Sequence, residues 1–193
     1  MMMIESLLDR FGAWLVVPMV EASAQRVMLD IETFGTRPGC VIVSIGAVRI
    51  NGTEVTDDRF EVNVDPGSCV RHGLEMDPST VNWWLTQDRE AVRRFQDDPQ
   101  SLPDALDRFA EWIGKVDEVW GNGSDFDNAI LCAAYEMLGS RAPWPTFGNR
   151  CYRTVKSLCP EIRIQRTGTY HSALDDAVSQ ANHLVACLDA ISR

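Results

Sequence analysis

An apolar run that contains two acids constrains the fold of this chain more than any other feature. Residues 27–33 read Val-Met-Leu-Asp-Ile-Glu-Thr, and such a run predicts a buried strand. Side chains two positions apart project to the same face of a strand, so Asp30 and Glu32 lie side by side. Buried carboxylates are costly unless a cation neutralises them. The run therefore predicts either a metal site on a strand or a strand end that has reached solvent, and spacing alone does not choose.

A second group of chemical residues lies near the C-terminus. Apolar residues keep a helical period over residues 173–191. Ser172 and Asp175 match a capping box, which gives the Asp175 carboxylate a structural role at the start of this helix. Asp176 is then free to point into a site, and His171 precedes the helix on a loop from which it can converge with Asp176.

The acid in the middle of the chain is ambiguous. Residues 120–127 read Trp-Gly-Asn-Gly-Ser-Asp-Phe-Asp, and they follow a short strand and open a helical pattern. Either Asp125 or Asp127 could cap that helix while the other faces the remaining acids. Spacing does not distinguish them.

These groups point to one kind of chemistry. Four carboxylates and one imidazole in a single cleft make a site for two divalent cations, with a base that accepts a proton from an attacking water. Such a site hydrolyses phosphodiesters.

The residues resemble the three motifs of the DEDDh 3′-5′ exonucleases, a family that includes proofreading exonucleases, RNase T and oligoribonuclease. The resemblance spans roughly residues 27 to 190, and longer phrases at 29–39, 81–85 and 120–123 are closest to a small bacterial and bacteriophage exoribonuclease-like branch. The motif residues are Asp30-Ile-Glu32-Thr33, Asn122 with Phe126-Asp127, and His171 followed five places later by Asp176.

The resemblance implies an RNase H-like fold and a role for each motif residue. It makes Asp127, and not Asp125, the third family acid. Asp30, Glu32 and Asp176 would hold one Mg²⁺ or Mn²⁺ ion, and Asp30 would bridge to a second ion. Asp127 would steady that second ion directly or through water. His171 would be the general base.

The resemblance also implies where the substrate binds. Thr33 and Phe34 are at positions that contact the terminal nucleotide, with Phe34 either stacking on a base or packing in the core, and Asn122 is predicted to contact substrate as well. The implied reaction is release of nucleoside 5′-monophosphates from single-stranded RNA or DNA 3′ ends, with RNA preferred. The alternatives are a DNA exonuclease of phage recombination or repair, and a catalytically degenerate module that only binds nucleic-acid ends.

The distribution of charge agrees with a nucleic-acid substrate better than the total does. A net charge of -10 repels a polyanion at long range. Residues 141–166, just before His171, nevertheless carry a net charge of +5. This segment predicts phosphate contacts from Arg150, Arg153 and Lys156, and the alternative is a solvated loop face.

The order of predicted elements indicates an α/β fold with a mixed central sheet flanked by helices. A predicted helix near 78–96 contains Trp83 and Trp84. We expect both of these tryptophans, and also Trp112, in the core or at an interface. Strands are predicted near 27–31, 41–50, 59–64 and 118–121, helices near 78–96, 101–115, from 126, and from 173, and a loop-rich stretch over 139–170.

The chain divides into an exonuclease domain at 27–193 and an N-terminal extension at 1–26. An amphipathic stripe from Ile4 to Leu15 predicts a helix that docks either on its own subunit or on a second subunit, and the second alternative would make a homodimer. The 6 cysteines have no Cys-x-x-Cys spacing, which favours reduced thiols in a cytoplasm. No apolar run reaches transmembrane length, so no membrane association is expected.

Overall fold

The computed structural model describes residues 24–193. The predicted N-terminal helix, with its stripe from Ile4 to Leu15, lies outside the described residues. The first strand already begins at Gln25.

A mixed sheet forms the centre of the described residues, as the sequence predicts. The strands are β1 Gln25–Thr33, β2 Ile42–Asn51, β3 Glu54–Asn63, β4 Glu118–Gly121 and β5 Asn149–Cys151. Their order in the sheet is β3-β2-β1-β4-β5. The pairs β1–β2 and β2–β3 are antiparallel, whereas β1–β4 and β4–β5 are parallel.

Helices cover both faces of this sheet. The helices are α1 Pro66–Arg71, α2 Pro78–Trp84, α3 Arg89–Arg94, α4 Leu102–Ile113, α5 Asp127–Met137, α6 Tyr152–Leu158 and α7 Ala173–Ser192. Alternate residues of β1 enter two separate apolar clusters, because successive side chains of a strand point to opposite faces. Val27, Leu29 and Ile31 join a large cluster with α4 and α5, and Met28 joins a smaller one with α6 and α7.

The prediction of a single helix at 78–96 is wrong. The structure has two helices, α2 and α3, because Asp88 accepts a hydrogen bond from Glu90 N at 2.7 Å and starts a new helix. The stretch 139–170, predicted as loop-rich, contains β5 and α6. Both are too short to show a period in the sequence.

Two further predictions concern the whole domain. All six cysteines lie within the described residues and are free thiols. Among the helices of residues 24–193, none has the length and apolar character needed to cross a bilayer.

Candidate active site

The two acids of β1 lie on the sheet face that α7 covers. Asp30 is opposite Gly46 of β2, and Glu32 is opposite Ser44. Gln180 of α7 donates a hydrogen bond from Nε2 to Asp30 Oδ1 at 2.8 Å. The strand therefore presents both carboxylates toward the helix that carries Asp176.

Gly46 allows α7 to approach this closely. A Cβ at Gly46 would lie 2.1 Å from Leu174 N and 2.2 Å from the carbonyl carbon of Ala173. Atoms at such distances overlap, so only glycine leaves room for the first turn of α7 on β2. This contact brings the start of α7 next to Asp30 and Glu32.

The structure places Asp127 at the site and Asp125 outside it. Asp127 is the first residue of α5, is only 2% exposed, and accepts a hydrogen bond from Ile31 N to Oδ1 at 3.3 Å. Asp125 is exposed. Neither acid caps α5, whose N-cap residue is Phe126 and has no side-chain cap hydrogen bond.

His171 and Asp176 complete the group. One ring nitrogen of His171 and one carboxylate oxygen each of Glu32 and Asp176 lie within 4.8 Å of one another. The His171 ring stands edge-on to Trp83 and Trp84, with centroid distances of 5.2 Å and 5.5 Å. The aromatic pair therefore restricts the orientation of the imidazole.

The start of α7 differs from the predicted capping box. Ser172 Oγ accepts from Asp175 N at 3.4 Å, as expected of an N-cap. The Asp175 carboxylate, however, accepts from Thr169 N at 2.8 Å instead of reaching back to Ser172 N. The reason is that His171 has φ +60°, uncommon for a residue other than glycine, and the loop turns back over Asp175.

Gly168 makes this turn possible. It has φ +79°, and a Cβ there would lie 2.2 Å from Asp175 Cγ. Asp175 thus holds the loop that presents His171.

The carboxylates are crowded in a buried place, and their pKa values rise accordingly. Burial raises the pKa of Asp30 well above its usual range, and the charges of Asp127, Glu32 and Asp176 add to this rise. Burial, followed by the charges of Asp176 and Asp127, raises the pKa of Glu32 to about 8. Burial raises the pKa of Asp127 to about 7. The cluster as it stands has more negative charge than it can keep ionised near neutral pH.

This environment fits a divalent cation. Asp127 Oδ2 and Gln180 Oε1 are buried and have no hydrogen-bond partner within residues 24–193. Unpaired buried oxygens are costly, and oxygen atoms are the ligands that Mg²⁺ and Mn²⁺ prefer. A bound cation would satisfy these atoms and favour the ionised carboxylates.

The acids line a cleft of about 250 Å³ that adjoins a second pocket of about 350 Å³. Trp83 is 43% exposed and forms part of the wall of the second pocket, whereas Trp84 is buried and donates from Nε1 to Thr33 O at 2.9 Å. Trp84 therefore lies in the core, as predicted, whereas Trp83 does not, and an interface position for Trp83 stays a prediction. Thr33 lines the second pocket too, together with Glu32, Thr36, Ser79, Thr80 and Phe126.

The predicted aromatic contact does not face this pocket. Phe34 packs against the large apolar cluster, edge-on to Phe95 at a centroid distance of 6.2 Å. Core packing, the alternative considered for Phe34, is the arrangement observed.

The predicted basic segment separates into different places. Arg153 lines the cleft with the acids and donates to the backbone oxygen of Asn122, which lines it too. Arg150 instead pairs with Glu118 at 3.2 Å. Lys156 lies over the Tyr152 ring, 6.0 Å from its centroid. The structure thus brings Arg153 to the carboxylates and holds Arg150 in an ion pair at the sheet edge.

Three residues of the cleft and of the adjoining pocket were not predicted as site residues from the sequence. Gln180 follows Asp176 by one helical turn, and a polar residue within the apolar stripe of α7 is a signal that could have identified it. Arg166 belongs to the basic segment but was not singled out. Trp83 gives no sequence signal, because its exposure depends on where α2 ends.

The geometry above agrees with a known family. A sequence profile of the 3′-5′ exoribonuclease Rv2179c-like domain matches residues 25–188, which include all five strands and the start of α7 with its acids. The chain belongs to this family. Its members are 3′-5′ exoribonuclease domains, and this chain is a 3′-5′ exonuclease. No curated protein sequence matches the chain at a significant level.

Solved nuclease structures share the fold. The nuclease domain of 3′hExo, a DEDDh family member bound to rAMP, is 16% identical with a TM-score of 0.59, over 87% of this chain and 93% of that one. Cell-death related nuclease 4 (CRN-4) is 13% identical with a TM-score of 0.60, over 88% of this chain and 65% of that one. Exonuclease I of E. coli with a dA16 oligonucleotide is 13% identical with a TM-score of 0.63, and the match covers 88% of this chain and 43% of that one. These structures confirm the RNase H-like fold, and the chain spans only part of the last two proteins.

Proposed function

We propose that this 3′-5′ exonuclease uses two divalent metal ions and removes nucleoside 5′-monophosphates from single-stranded ends, with RNA preferred over DNA. The observation that carries the proposal is the convergence of four carboxylates and His171 in one cleft that opens into a nucleotide-sized pocket. The carboxylates are Asp30, Glu32, Asp127 and Asp176.

These four carboxylates would hold two Mg²⁺ or Mn²⁺ ions. Cations bound there would lower the pKa of a water molecule and would stabilise charge on the phosphate. His171 is the group that accepts the proton, since a ring nitrogen lies within 4.8 Å of the nearest Glu32 and Asp176 oxygens. Imidazole is suited to this role near neutral pH.

The adjoining pocket is the proposed seat of the 3′-terminal nucleoside. Its volume of about 350 Å³ suits one nucleoside, and the exposed ring of Trp83 offers a surface for stacking. Thr33, Ser79 and Thr80 are among its lining residues. The Thr33 hydroxyl donates to Gly35 O at 2.6 Å and the Ser79 hydroxyl donates to Asp77 Oδ1 at 2.7 Å, so each keeps only its acceptor capacity. A hydroxyl acceptor can receive a hydrogen bond from a ribose 2′-OH, which supports the preference for RNA.

An end-binding module without catalysis is less well supported. Such a module needs neither a buried cluster of carboxylates nor an imidazole held beside it by two tryptophans. The cost of burying these acids is explained by catalysis and not by binding a polyanion.

The proposal also covers the cellular compartment and the oligomeric state of the chain. Six free thiols favour a reducing cytoplasm. A homodimer, with the segment before residue 24 at its interface, remains our proposal for the assembly.

Degradation of matched end-labelled strands tests the substrate preference. Single-stranded RNA, single-stranded DNA and both duplexes would be incubated with Mg²⁺ or Mn²⁺. We expect single-stranded RNA to be shortened fastest from its 3′ end, and the duplexes slowest. Faster loss of DNA than of RNA would favour the DNA exonuclease alternative.

A further inference from the structure

Arg166 contacts one of the carboxylates that the metal ions need. Its Nη1 donates to Asp176 Oδ1, and the guanidinium lies over the Tyr170 ring, 4.8 Å from the centroid. The Arg166 side chain is 42% exposed, whereas that of Asp176 is 15% exposed. Arg166 therefore reaches into the cleft from its solvent side.

A cation bound by Asp176 meets Arg166 at the same place. Two positive groups a few ångströms apart repel each other strongly where water is partly excluded. They also compete for the lone pairs of one carboxylate. The Arg166 side chain is partly exposed and flexible, so it can leave Asp176 at low cost, and the Tyr170 ring keeps the guanidinium beside the cleft.

We propose that Arg166 exchanges partners during the reaction cycle. It neutralises Asp176 until a divalent cation binds, and it then turns to an oxygen of the substrate phosphate. This inference rests on the proposed function. Guanidinium groups bind phosphate through paired hydrogen bonds, so the displaced side chain has a suitable new partner in the same cleft.

Arg153 is a less suitable candidate for this exchange. It lines the same cleft, but it donates to the backbone oxygen of Asn122, and within residues 24–193 it forms no ion pair with a carboxylate. Arg153 therefore provides the comparison that separates direct pairing from long-range repulsion, because it carries the same charge at the same cleft.

Two affinities measured on the full chain test the exchange. Isothermal titration with Mn²⁺ alone should show several-fold tighter binding to Arg166→Ala than to wild type, since a competitor is removed. Titration with AMP in saturating Mn²⁺ should show binding weaker by ~10-fold, the usual effect of losing a hydrogen bond to a charged group. Arg166→Lys should lie between wild type and Arg166→Ala in both titrations.

Two control variants define the interpretation. Arg163→Ala removes an exposed charge from the same loop and should bind both ligands as wild type does. Arg153→Ala should gain less Mn²⁺ affinity than Arg166→Ala does. An equal gain would mean that repulsion and not pairing is responsible, and would overturn the proposal.

The other results of these titrations distinguish failure of the exchange from failure of the proposed function. Unchanged or weaker Mn²⁺ binding by Arg166→Ala, or unchanged AMP binding, would overturn the exchange while leaving the proposed function intact, provided that wild type binds Mn²⁺ and degrades RNA. Wild-type protein that binds no Mn²⁺ would contradict the proposed function and this inference together.

Discussion

Asp125 and Asp127 are two positions apart, yet only Asp127 faces the other carboxylates. Capping rules could not distinguish the two acids, because these rules assume that one carboxylate accepts a hydrogen bond from a backbone N–H in the first turn of α5. In the structure neither does, and the Asp127 carboxylate instead accepts from Ile31 N on β1. That contact joins residues 96 positions apart, so no local pattern contains it.

Substitution of each acid by its amide tests this assignment. Asp127→Asn should lower kcat by at least the ~10–100-fold that follows loss of an outer-shell partner, since it removes a carboxylate proposed to steady the second metal ion. Asp125→Asn should retain substantial activity because its side chain is exposed. An inactive Asp125→Asn beside an active Asp127→Asn would mean that the assignment is reversed.

The raised pKa values predict how stability depends on pH. The pKa of Glu32 rises from its ordinary 4.5 to about 8, so between these values the folded state holds a proton that the unfolded state has lost. The stability contribution of Glu32 is therefore complete below about pH 4.5 and is lost as the pH rises toward 8. Mn²⁺ binds the ionised form, so it should stabilise the protein more at high pH.

Thermal unfolding in chelator and in Mn²⁺ provides the measurement. Wild type in chelator should lose stability between about pH 5 and pH 8, and Glu32→Gln should lose less over that range. The increase in Tm caused by Mn²⁺ should be larger near pH 8 than near pH 5. A wild-type Tm in chelator that responds to pH as Glu32→Gln does would contradict the account of Glu32.

Among the elements, the start of α7 determines the site most directly. The sequence predicts this helix and its Ser172 cap, because both are local patterns. It does not predict that Gly46 admits the helix onto β2, or that Asp175 accepts from Thr169 N. These are close approaches between segments, and they depend on a backbone turn at His171 that no spacing rule contains.

Two substitutions at Asp175 test whether it positions the loop of His171. Asp175→Ala removes the acceptor of Thr169 N and should lower kcat by up to ~100-fold, the effect of a small displacement of a catalytic group. Asp175→Asn keeps an oxygen acceptor and should stay close to wild type. Mn²⁺ affinity should change little in either variant. Equal activity of Asp175→Ala and wild type would rule out a positioning role.

For the whole molecule, the sequence predicts the mixed sheet flanked by helices and the convergence of five distant residues. The long strands and α7 show clear periods, and the motifs come in the family order. The contacts of the basic segment could not be predicted, because the net charge of a segment does not determine the direction of each side chain. Arg150 pairs with Glu118, whereas Arg153 and Arg166 reach the cleft.

Assembly is a separate prediction at this scale. If the stripe from Ile4 to Leu15 forms the main subunit contact, deletion of residues 1 to 18 should convert a dimer into a monomer in light scattering. Activity per subunit would be measured on the same samples. A dimer that survives the deletion would assign the interface to other surfaces.

The central claim is that the carboxylate cluster performs metal-dependent removal of nucleotides from 3′ ends. The most direct measurement follows 5′-labelled single-stranded RNA with excess EDTA, and then after addition of Mg²⁺ or Mn²⁺ in excess of the chelator. We predict no cleavage in EDTA, and on metal addition a ladder that shortens one nucleotide at a time and is absent with Asp30→Ala. Undiminished cleavage in excess chelator, or products cut internally, would contradict the claim.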